Sequence, residues 1–229
     1  MILHDHSDDE VYFFQIHLGG DRNFCYLLAD RETGHAAVVD PGFAPERLHD
    51  LAQEHSTEIQ HILVTHGHAD HIGGLGRLVG LTGAKVYGGE AEELPGAVPL
   101  ADQERVPLGR THIAALSTPG HTRGHVCYLF KGRLITGDLL FCGKVGGTGP
   151  FFPGSSAEAE WESLHRITSL PEETLIFPGH DYYGGEGSMP HSTIGYEQQN
   201  NPFLLCEDFE TFCNLKENWA AYKKEHGIR

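Results

Sequence analysis

The sequence Thr65-His66-Gly67-His68-Ala69-Asp70-His71 places three histidines and one aspartate within six residues. The apolar run from Ile59 to Val64 precedes it and predicts a short buried strand, so the cluster lies on the loop that leaves a strand end. Ligands and chemistry usually gather at that edge in α/β proteins. Imidazole and carboxylate together suit zinc, iron or manganese better than calcium or magnesium. The stretch therefore predicts a metal site on an α/β scaffold.

The spacing within this stretch indicates two neighbouring ions. In an extended backbone, residues i and i+2 project to the same side, so His66 and His68 can converge on one ion. After a turn at Gly67 to Ala69, Asp70 and His71 can face a second ion beside the first. Four side chains of ligand type so close together are difficult to explain as a polar loop with no function.

Three further residues repeat one local pattern, in which an apolar strand is followed by a glycine and then by a histidine or aspartate. A lone histidine in such a place is usually structural, but the repetition favours one shared site. The three are His121 in Pro119-Gly120-His121, Asp138 in Thr136-Gly137-Asp138 and His180 in Pro178-Gly179-His180.

Taken together, these residues resemble the seven ligand positions of the metallo-β-lactamase superfamily in identity, order and approximate spacing. The resemblance implies an αββα sandwich, in which two mixed sheets are flanked by helices and the metal site lies at one edge. Asp138 stands where true β-lactamases of this superfamily place a cysteine, which favours the glyoxalase II-like branch. The implied ligands are His66, His68 and His121 for the first metal, Asp70, His71 and His180 for the second, and Asp138 as the bridge between them.

The resemblance implies a metal-dependent hydrolase that uses a metal-bound hydroxide. Two cations lower the pKa of a shared water from about 15.7 to near neutrality. A thioester is a natural target because its thiolate leaves with little acid assistance, so a glyoxalase II-like thioesterase is the first hypothesis. Asp70 is the expected catalytic residue, which orients the water and later carries a proton. We expect two divalent ions, with zinc as the first choice and iron or a mixture of Zn, Fe and Mn as alternatives.

A second hypothesis is a persulfide dioxygenase that acts on glutathione persulfide. These relatives keep all seven positions but bind one Fe(II) at the equivalents of His66, His121 and Asp138, a two-histidine-one-carboxylate set. The segments 192–195 and 200–202, Ser-Thr-Ile-Gly and Asn-Asn-Pro, occur in both classes and leave the choice open. A non-enzymatic binding module, the third hypothesis, is disfavoured because no ligand is lost.

The loop from Gly143 to Pro153 bears on the substrate. In glutathione-using relatives this loop usually carries Cys-Gly followed by a basic residue, which can pair with a glutathione carboxylate. An ungapped match places Gly147 at the basic position, so weak glutathione binding is expected, although Lys144 lies nearby and could substitute. Tyr182 and Tyr183 could add hydroxyl donors from the opposite side. The expected substrate-binding residues are Lys144 and Tyr182.

Composition limits the partners of the chain. It has 229 residues and a net charge of −16 at neutral pH, which disfavours nucleic acid or an anionic membrane because either needs a basic face. No secretory signal or membrane-spanning run is visible. The five cysteines are odd in number and lack a Cys-x-x-Cys motif, so neither a disulfide framework nor a thiolate zinc site is expected. We expect a cytoplasmic enzyme for a small thioester or thiol-derived substrate, with a homo-oligomer left open.

Patterning predicts one domain over residues 1–229, with a short C-terminal extension over about residues 190–229. Asp40-Pro41-Gly42 is interpreted as a turn, and His125 as a structural histidine or one that supports a ligand. Strands are expected over 11–18, 24–29 and 35–39, and helices over 45–55, 74–81 and 155–170, with a single last helix within 206–224.

Overall fold

The computed structural model describes residues 2–20, 22–182 and 190–228. Seven strands form the first sheet in chain order: β1 (Ile2–Asp5), β2 (Val11–Gly19), β3 (Asn23–Asp30), β4 (His35–Val39), β5 (Glu58–Val64), β6 (Lys85–Gly89) and β7 (Val98–Leu100). The second sheet contains six strands: β8 (Arg105–Leu108), β9 (Thr111–Ser117), β10 (Val126–Phe130), β11 (Arg133–Gly137), β14 (Leu175–Pro178) and β15 (Ser192–Thr193). Between β11 and β14 the chain forms a separate hairpin of β12 (Leu140–Phe141) and β13 (Lys144–Val145).

The helices lie in the connections between strands and after the last strand. They are α1 (Pro45–Glu54), α2 (Ala69–Ile72), α3 (Leu75–Thr82), α4 (Ala157–Ile167), α5 (Ile194–Asn200), α6 (Phe209–Glu217) and α7 (Trp219–His226), with a 3-10 turn at Glu90–Glu92. Both sheets are mixed, because β4 to β7 pair in parallel within the first and β11 pairs in parallel with β14 within the second.

Three apolar layers hold this architecture together. The central layer lies between the two sheets, where the ring of Phe177 from β14 lies 4.5 Å from Phe13 of β2. A second layer packs α1 and α3 against the outer face of the first sheet, through residues such as Leu48 and Leu78. A third layer packs α4, α5 and α6 against the outer face of the second sheet. The expected αββα sandwich is confirmed.

Strand β3 shows how the sequence produces two of these layers at once. Successive side chains of a strand point to opposite faces. Accordingly Phe24, Tyr26 and Leu28 enter the central layer, while the intervening Cys25, Leu27 and Ala29 enter the layer under the helices. The whole strand is buried, which explains why its sequence is almost continuously apolar.

Two parts of the fold differ from the sequence-based expectation. The C-terminal region forms two helices rather than one, because α6 ends at Asn218, whose φ of −105° and ψ of 16° leave the helical conformation. The start of α6 is set by Asp208, which forms a capping box with Thr211. Strand β1, which the sequence analysis did not predict, pairs antiparallel with β2 at the edge of the first sheet.

The two sheets are joined by hydrogen bonds at one edge, where the loops after several strands meet. The backbone N–H of Phe24 donates to Gly179 O at 2.9 Å, and that of Val126 donates to Thr65 O at the same distance. The segments after β5, β9, β11 and β14 carry all seven candidate ligands. This edge is therefore where the sandwich can assemble a metal site.

Replacing Phe177 by alanine tests the central layer. Phe177→Ala should lower the free energy of unfolding by about 3–5 kcal/mol, because it leaves a cavity between two sheets that cannot easily collapse. Urea unfolding measures the loss. The control Phe151→Ala, whose side chain is 89% exposed, should change the same quantity by less than about 0.5 kcal/mol. Similar losses in both variants would contradict the assignment of Phe177 to the central layer.

Candidate metal centre

Three histidines form the first group of potential ligands. The Nδ1 atom of His68 lies 3.0 Å from Nε2 of His66 and 3.1 Å from Nε2 of His121. Tetrahedral zinc with Zn–N bonds of about 2.0–2.1 Å separates its ligand atoms by about 3.3 Å. The three nitrogens therefore converge on one point at a spacing that suits a metal ion.

Asp70, His71 and His180 form the second group. The Nε2 atom of His180 lies 3.3 Å from Nε2 of His71 and 3.4 Å from Oδ2 of Asp70. The short helix α2 carries both Asp70 and His71, and the His71 ring lies beside that of His66, with centroids 4.1 Å apart. The two histidines are buried, whereas the Asp70 side chain is 39% exposed and is thus the most accessible member of this group.

The carboxylate of Asp138 lies between the two groups. Its Oδ1 atom is 3.4 Å from His71 Nε2, and its Oδ2 atom is 3.4 Å from His180 Nε2 and 3.7 Å from His121 Nε2. Oδ1 is buried and accepts no hydrogen bond from the described residues. An orphaned buried acceptor of this kind normally costs about 1–3 kcal/mol. A carboxylate that faces two sets of nitrogen donors in this way fits two cations on either side of it.

Gly179 makes room for this carboxylate. A Cβ atom at position 179 would overlap Asp138 Oδ1 and would lie 2.9 Å from Cε1 of His71. The glycine before His180 is thus required by a close approach between the ends of β11 and β14. The glycine of the strand-glycine-ligand pattern thus has a specific steric reason at position 179.

Asp40 orients one histidine from each group. The hydroxyl of Thr65 donates to Asp40 Oδ2 at 2.6 Å, and so accepts from Nδ1 of His66 at 3.0 Å. Nδ1 of His71 donates to the same Asp40 oxygen at 2.9 Å. Both imidazoles thus use Nδ1 for these bonds and direct Nε2 into the site, where a metal would take the place of its proton.

The sequence analysis missed this role because it interpreted Asp40-Pro41-Gly42 only as a turn. Asp40 is buried and has a left-handed φ of 53°. It directly follows the apolar strand β4, at the strand end where the candidate ligands also lie, but no glycine precedes it. The strand-glycine-ligand pattern therefore does not include Asp40, and only its place at a strand end could have indicated it.

Three hydrogen bonds hold the loop segments that carry the first group. Nδ1 of His121 donates to the carbonyl oxygen of Gly147 at 2.7 Å, which again leaves Nε2 facing the site. Glu92 accepts from the backbone N–H of Gly67 at 2.6 Å and from the hydroxyl of Thr122 at 2.7 Å. One carboxylate thus ties the loop of His66 and His68 to the loop of His121. Nothing in the local sequence around Glu92 indicated this contact.

The electrostatics of the site favour positive charge at its centre. Burial lowers the pKa of His71, but the carboxylates of Asp138, Asp40 and Asp70 outweigh burial and raise that pKa to about 9. Burial raises the pKa of Asp138, and the neighbouring His71 and His180 outweigh it, so that this pKa falls well below its usual range. Burial lowers the pKa of His121, which keeps the imidazole neutral as a ligand must be.

His125 lies behind the first group rather than within it. Its ring centroid is 5.5 Å from that of His66, and its Nδ1 atom lies 2.9 Å from the hydroxyl of Thr118. Complete burial lowers the pKa of His125 to about 3, so the ring is neutral. The placement agrees with a histidine that supports a ligand by packing.

The two expected substrate-binding residues lie together beside the second group. The ring of Tyr182 stacks on that of His180, with centroids 4.8 Å apart and an interplanar angle of 5°. Nζ of Lys144 lies 5.3 Å from the Tyr182 ring centroid and 5.8 Å from that of Phe141. Tyr183 lies outside the described residues.

Comparison with known proteins adds independent information. The profile of the metallo-β-lactamase superfamily matches residues 18–180. The hydroxyacylglutathione hydrolase of Rhodospirillum rubrum is 39% identical over 165 residues, which are 70% of this chain and 62% of that protein. The chain thus spans less than two thirds of the length of that relative. None of the described helices has the length and apolar character that crossing a bilayer would require.

Two further proteins match most of the chain and most of their own length. The probable polyketide biosynthesis zinc-dependent hydrolase BaeB of Bacillus velezensis is 32% identical over 204 residues, which are 85% of this chain and 87% of that protein. The solved structure of ETHE1 from Myxococcus xanthus superposes with a TM-score of 0.79 and 31% identity, over 96% of this chain and 91% of that one.

Substituting Asp40 tests whether it orients the histidines. Asp40→Asn should weaken zinc binding by about 10–100-fold, the usual effect of removing a hydrogen-bond partner of a metal ligand. Competition with a chromogenic chelator measures the affinity. The control Asp30→Asn removes another buried carboxylate, which pairs with Arg110 at the far end of β3, and should leave zinc affinity unchanged. Equal affinities in the parent and Asp40→Asn would contradict the proposed role.

Proposed function

The chain belongs to the metallo-β-lactamase superfamily, and from that premise we propose that it is a glyoxalase II-like thioesterase with two divalent metal ions. The observation that carries the proposal is the buried carboxylate of Asp138, which faces both ligand groups at once. The proposed ligands are His66, His68 and His121 for one ion, Asp70, His71 and His180 for the other, and Asp138 between them.

Zinc is the metal we propose first. The donor set of imidazoles and carboxylates suits it, and the relative from Bacillus velezensis is named as zinc-dependent. The same donors also bind iron and manganese, so iron or a mixed pair is the alternative. When bound, two such ions would lower the pKa of a shared water and polarise a substrate carbonyl.

Asp70 is the residue we propose to orient that water and to carry its proton. Its Oδ2 atom accepts a hydrogen bond of 2.9 Å from the side-chain amide of Asn23, which fixes the plane of the carboxylate. Burial raises the pKa of Asp70, but the bond from Asn23 and the charge of His71 outweigh it and lower the pKa overall. The carboxylate is therefore ionised at neutral pH and partly exposed, as a group that accepts a proton from water must be.

A thioester is the substrate class that these residues suit best. Its thiolate leaves without strong acid assistance, so hydrolysis does not require a strong general acid at the leaving group. Lys144 lies near Tyr182 at the rim of the second group and is the residue we propose to pair with an anionic part of the substrate. Three curated hydroxyacylglutathione hydrolases at 39–40% identity support the thioester class.

The second candidate is a persulfide dioxygenase with one iron. His66, His121 and Asp138 would supply its two histidines and one carboxylate. In the structure Asp138 Oδ2 lies 3.7 Å from His121 Nε2, and the match to ETHE1 extends over 96% of the chain. The seven ligand-type residues alone do not separate the two reactions.

Offering two substrates to one preparation separates the candidates. With S-lactoylglutathione we expect release of thiol, followed by a thiol reagent, and with glutathione persulfide we expect no oxygen uptake above background. As a control, protein treated with a chelator should release no thiol. Reloading the same protein with zinc should restore thiol release. Oxygen uptake without thiol release would reject the hydrolase in favour of the dioxygenase.

The metal content of Asp70→Asn gives a second, independent criterion. In the two-metal hydrolase this change should remove about one ion per chain and slow hydrolysis by orders of magnitude, because Asp70 is one of the second ion's ligands. In the one-iron enzyme the metal content should be unchanged. Elemental analysis measures it, with the exposed Asp50→Asn as the matched control. Full metal content in Asp70→Asn would contradict the two-metal assignment.

A further inference from the structure

A cavity of about 530 Å³ lies between the loop after β13 and the C-terminal helices. Small-molecule sites usually measure about 300–1,000 Å³. The described lining is mostly apolar, and Phe151 at its rim is 89% exposed. Its main apolar members are Val145, Phe151, Phe152, Phe203, Cys213 and Trp219.

This cavity adjoins the metal centre through the loop itself. The ring centroid of Phe152 lies 5.1 Å from that of His121 and 6.3 Å from that of His68. Gly147, which also lines the cavity, accepts the hydrogen bond from His121 through its carbonyl oxygen. A molecule in the cavity would thus be separated from the first ligand group by little more than one phenylalanine ring.

Position 147 is crowded by an aromatic ring. A Cβ atom there would overlap the ring of Phe152. Any longer side chain would have to displace that ring from its place beside His121. The space where the family resemblance leads us to expect a cation in glutathione-using relatives is therefore filled by an aromatic surface.

A second basic residue of the lining, Lys216 on α6, is already paired. Its Nζ atom contacts the carboxylate of Glu160, which is fully buried, and donates to the carbonyl oxygen of Gly146 at 2.8 Å. A buried ion pair of this kind loses much of its stability when one partner turns elsewhere. Glu217, also in the lining, adds negative charge. This wall of the cavity therefore offers little attraction for an anionic ligand.

We propose that the cavity binds an apolar chain of the thioester, next to the metal centre. The inference rests on the proposed thioesterase activity and specifies its substrate class. Burial of each methylene should improve kcat/KM by about fourfold while the chain still fits. Glutathione thioesters with short acyl groups would make no apolar contact with the cavity, and their binding would depend on Lys144 alone.

Two series of thioesters test the proposal and identify the side that carries the chain. One series lengthens the acyl group from acetyl to octanoyl on N-acetylcysteamine, and the other lengthens an alkyl thiol on a constant acetyl group. We expect kcat/KM to rise at least tenfold along one series. A flat response in both, with acetyl-N-acetylcysteamine or S-lactoylglutathione hydrolysed normally, would overturn the cavity proposal and leave the proposed function intact.

A variant with a larger side chain in the cavity tests whether the rise of kcat/KM with chain length arises there. Ala157, at the first turn of α4, lines the cavity, so Ala157→Leu should lower the ratio of kcat/KM for the longest and shortest members of the responsive series about tenfold. The control Ala220→Leu changes an exposed alanine of α7 outside this lining and should keep the ratio of the parent. An unchanged ratio in Ala157→Leu would place the chain elsewhere.

Direct binding separates the cavity from catalysis. The octyl thioether of N-acetylcysteamine cannot be hydrolysed, and calorimetry should show it binding the parent at least tenfold more tightly than Ala157→Leu. If the parent binds the thioether more tightly than Ala157→Leu but hydrolyses no thioester, the cavity is supported as a binding site and the proposed function is rejected. Equal affinity for the two proteins, or binding to neither, would reject the cavity as the site of the chain.

Discussion

The buried carboxylate of Asp138 is the constraint on which the rest of this edge depends. A carboxylate removed from water needs compensating positive charge, and here it lies among the imidazole nitrogens of His71, His121 and His180. Those nitrogens come from loops after three different strands, so the carboxylate is compensated only when both sheets are assembled. Gly179 contributes by the absence of a side chain, which lets the two strand ends approach. The fold and the proposed metal centre are therefore parts of one arrangement.

Hydrogen bonds around the candidate ligands orient their imidazole rings toward the site. Asp40 acts on both ligand groups, since it accepts from His71 directly and from His66 through Thr65. Glu92 joins the two loops that carry the first group, and the carbonyl of Gly147 holds His121. The bonds to His66, His71 and His121 engage Nδ1 and leave Nε2 facing the site, while Glu92 fixes the loops that carry the ligands. A site whose donors are oriented before the metal arrives loses less conformational entropy on binding.

The cavity is lined by a different part of the chain from the one that carries the candidate metal ligands. The loop after β13 touches the metal centre through Gly147 and Phe152, and its other side lines the cavity. The Phe152 ring packs beside His121 and occupies the space that a side chain at position 147 would enter, so one packing contact shapes both the ligand group and the cavity wall. The proposed metal centre and the cavity therefore share Phe152 and Gly147 as a common wall.

The sequence by itself determined the elements whose signals are local. The cluster from His66 to His71, the strand-glycine-ligand pattern around Asp138 and the buried strand β3 are each visible within a few residues, because strand periodicity and ligand spacing act over that range. Together with the family resemblance, they were enough for the αββα sandwich. Only the tertiary structure decided the contacts between distant residues, such as Glu92 with Gly67, Phe152 with Gly147, and Lys216 with Glu160. It also ended α6 at Asn218, where the apolar pattern alone had predicted a longer helix. Such contacts leave no periodic trace in the sequence, since they depend on which loops the packed sheets bring to the same edge.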